Sequence, residues 1–98
     1  MDEVRWTLQA ADDVEAIAAF IATDSITYAQ LFVLNVMQGV DRISRFPRVG
    51  RMVPEFGQAI LRELILGNYR LVYRIRKDVV EILTVFHGAR RLHLDEAG

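Results

Sequence analysis

The hydrophobic period of this chain switches from helical to alternating near Phe46, and that switch limits it to a mainly helical first half, after a short N-terminal strand, followed by a sheet-forming half. From Ala10 onward Val14, Ile17, Ala18 and Ile21 fall at i, i+3, i+4 and i+7, the spacing of one helix face. Asp12, Asp13 and Glu15 are read as its first turn, where carboxylates complement the helix dipole, so a helix is expected over 10–22. Asp24-Ser25 reads as a turn and N-cap. Ala29, Phe32, Val33, Val36, Val40 and Ile43 then mark a second apolar stripe that runs to Phe46, where Pro47 ends it because the residue before proline is pushed out of the α region.

Outside this stretch the period is two. Val4, Trp6 and Leu8 alternate with Arg5 and Thr7, which predicts a strand over 3–8. Residues 47–57 hold two prolines and two glycines and read as a loop. A short apolar run, Ala59 to Leu66, is broken by Arg62 and Glu63 and leads through a Gly67-Asn68 turn into Tyr69 to Arg76. There Tyr69, Leu71, Tyr73 and Ile75 share one face, and Arg70, Arg74 and Arg76 occupy the other. Lys77-Asp78 turns the chain into Val79 to Phe86, apolar on both faces and therefore an interior strand.

The expected fold is α+β, in the order β-α-α-β-β-β: an N-terminal strand, then a two-helix hairpin packed on an antiparallel sheet that ends in a three-stranded meander. Val14, Ile17, Ile21, Phe32, Val36, Val40 and Ile43 should face Leu71, Tyr73, Leu83 and Val85 in one core. At 98 residues the expectation is one domain spanning 1–98.

Charge divides along the same line as the hydrophobic period. Residues 1–41 carry seven acids and one base, whereas residues 42–91 carry eleven bases, ten of them arginine, and four acids. Halves of −6 and +7 are hidden in an overall charge of −1. Arginine is the planar, permanently charged fork suited to phosphate and carboxylate, so the sheet half is expected to meet a polyanion or an acidic protein segment. With no cysteine there is no disulfide framework or thiolate metal site, and a reducing cytoplasm is the expected home. No run approaches the roughly 18 apolar residues of a membrane span, so no membrane role is expected.

Glycine-rich phosphate loops and dinucleotide fingerprints are absent, and His87 with His93 is a poor start on a metal site, so neither cofactor nor metal is expected. His87 ends the interior strand close to Arg90 and Arg91, and could be either a backbone-bonded histidine or a functional one. Tyr69 and Tyr73 continue an apolar face and read as core aromatics.

Several segments together resemble the RelE/ParE family of type II toxins: Trp6; Phe46-Pro47 with Gly50-Arg51 and Val53-Pro54-Glu55; Arg62-Glu63-Leu64; Asn68 to Arg74; and Val85-Phe86-His87-Gly88-Ala89-Arg90. The resemblance implies the fold already reached and a cognate antitoxin with an acidic helical segment as partner. It also implies one of two activities. RelE-like members cleave messenger RNA in the ribosomal A site, and ParE-like members poison DNA gyrase. Arg70 and Arg90 match the RelE-type arginines, but Arg62 and Glu63 stand where RelE carries a lysine pair. The tyrosine expected after the second arginine is missing from Leu92-His93-Leu94-Asp95-Glu96.

The resemblance is therefore closer to ParE, and implies a gyrase inhibitor of the plasmid-stabilization type, with Arg62, Arg70, Arg74, His87, Arg90 and Arg91 as the target-binding set. An endoribonuclease is the alternative, with Arg70, His87 and Arg90 catalytic and His87 moving the proton. A third reading is a non-toxic module that docks an acidic protein.

Overall fold

The computed structural model describes residues 1–89. Seven elements follow one another: β1 (Glu3–Trp6), α1 (Leu8–Ala22), α2 (Ile26–Arg45), β2 (Arg51–Met52), β3 (Leu61–Leu66), β4 (Tyr69–Arg76) and β5 (Val79–His87). The expected α+β class and element order hold, with one short strand added inside the predicted loop. The sheet order is β1-β5-β4-β3-β2, so β5 is interior as expected. The sheet is mixed: β1 lies parallel to β5, and the other neighbours are antiparallel. A parallel pair needs a long crossover, which the helical hairpin and the meander together supply.

The first strand stops earlier than its alternation predicts. Thr7 caps α1, its hydroxyl accepting the Ala10 N–H at 3.1 Å while donating to the Ile82 carbonyl at 2.9 Å. Helix α1 therefore begins at Leu8, and no acid lies in its first turn. Asp12, Asp13 and Glu15 fall beyond it, and Asp13 has a different task. Beyond Trp6 opposite Ile82, β5 has lost its β1 neighbour, and the Asp13 carboxylate takes over, accepting the Thr84 hydroxyl at 2.5 Å and the Val85 N–H at 3.1 Å. Ser25 caps α2 as read, accepting from the Tyr28 N–H at 3.1 Å.

The two turns are those anticipated, with Gly67 at φ 61° and Asp78 at φ 58°, left-handed values that glycine and aspartate tolerate.

The core on the helix face joins Phe32, Val36, Val40 and Ile43 to Leu71, Tyr73, Val80, Ile82 and Val85, with Val14, Ile17 and Ile21 packed against it. Leu83 is not part of it. The β4–β5 register passes from Val72 opposite Thr84 to Tyr73 opposite Ile82, leaving Leu83 as the extra residue of a bulge. That bulge keeps Ile82 and Val85 on one face and sends Leu83 to the other, where it packs on Val53, Leu61 and Val72. The second face is thus partly roofed by the loop through Val53. None of the helices among the described residues is long and apolar enough to cross a membrane.

Candidate functional site

The sheet face opposite the helices carries Arg70, Arg74 and Arg76 where alternation placed them, but the structure surrounds them with carboxylates. Glu63 on β3 has no side-chain exposure and lies directly opposite Arg51 of β2. Arg51 approaches its Oε2 at 2.6 Å. Arg70 of β4 donates from Nε to Glu63 Oε1 at 2.6 Å. The far end of the same guanidinium grips Glu55 fork to fork, Nη1 to Oε2 at 3.0 Å and Nη2 to Oε1 at 2.9 Å. Phe86 lies under the cation, 5.0 Å from its ring centroid. Arg70 is only 7% exposed. Its pKa is pushed up, first by the hydrogen bond to Glu55 and then by Glu63, against the cost of desolvation.

Further along the face Arg74 and Arg76 converge on one oxygen of Glu81, at 3.0 and 2.8 Å. Arg76 contributes most to holding the Glu81 carboxyl below its ordinary value, opposed by desolvation and helped by Arg74. Arg62 points the other way and serves the backbone, bonding the Gly50 and Ala59 carbonyls, each at 2.9 Å.

Between the 54–55 turn and the ends of β3, β4 and β5 lies an open cleft of about 440 Å³ lined by Arg51, Glu55, Asn68, Tyr69, Arg70 and His87 among others. Arg70 and His87, both singled out from the sequence, line this one cleft. The Nδ1 of His87 accepts the Ala89 N–H at 3.1 Å, which leaves Nε2 to carry the proton in the neutral ring. Its ring meets Tyr69 edge-on at 5.6 Å, and Tyr69 in turn packs on Phe32 at 5.1 Å. Gly88 lies against β4, its N–H bonding the Asn68 carbonyl at 2.7 Å. Arg90 and Arg91 lie outside the described residues. Tyr73 is a buried core residue, as read.

Reading the sequence missed Glu55, Glu63, Arg51 and Asp13. Glu63 left a trace, because a carboxylate between Leu61 and Ile65 interrupts one apolar face of a strand, and such a residue needs cations beside it. Glu55 left none, since its partner is fifteen residues away across an irregular loop.

A second surface is apolar. On the outer side of α2, Tyr28, Leu31, Leu34 and Met37 are exposed, and Phe20 of α1 is 73% exposed beside the hairpin tip.

A helical hairpin on a mixed sheet, with an arginine-centred cleft at one end of the strands, is the architecture of the RelE/ParE class of toxins. The fold matches a solved chain described as the chromosomal ParDE TA system from P. aeruginosa, with TM-score 0.71 and 21% identity, covering 89% of this chain and 96% of that one. It also matches a YoeB/ParE toxin from Agrobacterium tumefaciens, with TM-score 0.61 and 17% identity over 87% and 96% of the two chains. The sequence model of the ParE toxin of the type II toxin-antitoxin system parDE matches residues 4–92, and this chain belongs to that family. Among named relatives, toxin Y4kP of Sinorhizobium fredii is 38% identical over 87 residues, 87% of this chain and 86% of that protein. Toxin RelE2 of Caulobacter vibrioides is 32% identical over 91 residues, covering 92% and 99%.

Proposed function

We propose that this type II toxin acts in the cytoplasm by binding DNA gyrase and does not cleave RNA. The observation that carries the reading is the Arg70 clamp. Metal-free cleavage needs a cation aimed at the phosphate as charge develops on it, together with a group that moves the 2'-hydroxyl proton. Arg70 instead spends both ends of its guanidinium on Glu63 and Glu55. Catalysis would have to remove a carboxylate before it began. Binding needs no such step, and a cleft edged by Arg51, Tyr69 and His87 serves as the contact surface. Arg74 lies further along the same face and Arg90 and Arg91 follow in the chain, whereas Arg62 is left out of the surface by its bonds to the Gly50 and Ala59 carbonyls. The reading is that of one domain over 1–98.

Neutralisation falls to a cognate antitoxin, supported by the pairing named for the P. aeruginosa relative. The apolar outer face of α2 fits the apolar side of an antitoxin helix. Past the two-residue β2, the outer edge of β3 from Leu64 to Leu66 has no strand beside it among the described residues, and fits an added antitoxin strand.

The test pairs two assays on purified protein. Gyrase supercoiling should be inhibited, message on programmed ribosomes should stay intact, and His87→Ala should weaken gyrase inhibition only modestly, by the loss of one contact. Cleavage in the A site with supercoiling unaffected, lost on His87→Ala, would establish the endoribonuclease instead.

A further inference from the structure

The two carboxylates on Arg70 are not equivalent. Glu63 belongs to a regular strand, has no exposed side-chain surface, and is held from its other side by Arg51. It is a permanent partner. Glu55 comes from the irregular segment between β2 and β3, keeps 19% of its side chain exposed, and rests on a turn in which the Phe56 and Gly57 N–H groups bond the Val53 carbonyl at 3.0 and 2.9 Å. That turn is anchored in the core through Val53, not through Glu55. Remove Glu55 from its seat and the cluster of Arg51, Arg70 and Glu63 is left with one uncompensated positive charge, at the wall of an open cleft.

We infer that Glu55 is an internal stand-in for a carboxylate of the antitoxin, and that the cleft is an acid-recognition site that opens when this outside carboxylate displaces it. Three features define the ligand. The seat is planar and bidentate, the geometry of a carboxylate on a guanidinium. The Nη2 that holds Glu55 also holds Glu63, at 2.9 and 2.5 Å, so a dianion would be repelled where a monoanion is balanced. Glu55 is tethered to its site, and a tethered group competes with an effective concentration in the millimolar range or above. A free small acid does not win that competition, whereas an acidic side chain on a protein already docked to the helical hairpin has a comparable tether.

Exchange of one carboxylate for another preserves the bidentate pair, so the seat selects the acid without leaving Arg70 buried and unpaired, the outcome that would be costly. In the free protein the stand-in keeps the cation from binding anions at random. In the complex, the 54–57 turn moves off the cleft. The inference rests on the toxin-antitoxin assignment but not on gyrase being the target.

The experiment compares the parent with Glu55→Gln, using the cognate antitoxin as the probe. Glu55→Gln should bind it about tenfold more tightly, since the competing charge has gone. Side-chain nitrogen NMR of Arg70 in the parent gives a measurement that no variant can disturb. On adding antitoxin, the Nη signals should shift while Nε, bonded to Glu63, stays. Acetate at about 0.1 mM, well below the effective concentration of the tether, should leave all three unchanged. Equal or weaker binding by Glu55→Gln, or an Arg70–Glu55 pair intact in the complex, overturns the exchange. Displacement by acetate alone overturns the requirement for a tethered acid. An antitoxin that binds neither form overturns the pairing itself.

Discussion

The hydroxyl of Tyr73 ties the long loop to the core at two points, accepting the Gly50 N–H at 2.9 Å and donating to the Pro47 carbonyl at 2.6 Å. The ring is fully buried, and Gly50 is held so close that a Cβ there would sit 2.5 Å from the Glu63 carbonyl and 2.7 Å from the phenol oxygen. Tyr73→Phe should therefore cost about 1–3 kcal/mol in urea unfolding, the penalty of two backbone groups left without a partner. Gly50→Ala should cost at least about 1–3 kcal/mol by overpacking, and should also shift amide signals at Glu63. Desolvation raises the pKa of Tyr73 above its ordinary 10.0. The unfolded phenol thus ionises first, and stability that is complete below pH 10 falls as pH rises past it.

Arg70 and Glu63 form the most deeply buried ion pair of the sheet. Arg70→Ala should destabilise by about 3–5 kcal/mol, because Glu63 would keep only Arg51, and Glu63→Ala should cost a similar amount. Replacing both, as Arg70→Met with Glu63→Leu, should recover much of the loss, since apolar side chains of similar volume need no charge partner. Denaturant melts of the singles and the double decide it; additive losses would show that the pair matters by packing alone.

Asp13 joins α1 to β5 at the point where β1 stops. Asp13→Ala should cost about 1.5–3 kcal/mol, the range for hydrogen bonds to a charged group. Hydrogen exchange at Val85 should quicken more than at Val80, whose β1 neighbour is intact. Uniform acceleration along β5 would contradict the local role.

Glu81 links stability to acid pH. Its carboxyl lies below the ordinary 4.5 because Arg76 and Arg74 bond its charged form. The unfolded chain therefore takes up this proton first. Stability from the cluster is present above pH 4.5 and is lost as pH falls from there through the lower folded value. Glu81→Gln should flatten that part of the stability profile, and an unchanged acid limb in the variant would refute the assignment.

Much of this protein was legible without coordinates. Two helices, the turns at Gly67 and Asp78, and the interior position of β5 follow from local chemistry: the hydrophobic period, capping residues, and backbone values that only certain side chains tolerate. The family resemblance rested on segments spread along most of the chain, and the ParE match over residues 4–92 agrees with it. The start of α1 was misplaced because a threonine can extend a strand or cap a helix, and the Ile82 and Leu83 carbonyls that engage Thr7 lie more than seventy residues away. Leu83 was put on the wrong face for a related reason. Alternation predicts facing only while the register is unbroken, and a bulge is settled by how two strands pair.

The site shows the division most sharply. Alternation alone put Arg70, Arg74 and Arg76 on one sheet face, because side-chain direction along a strand is local. Whether those charges are available was decided by Glu55, Glu63 and Glu81, brought alongside by a loop and by two neighbouring strands. The interaction between charges depends on their distance in space, and only the folded chain sets that distance.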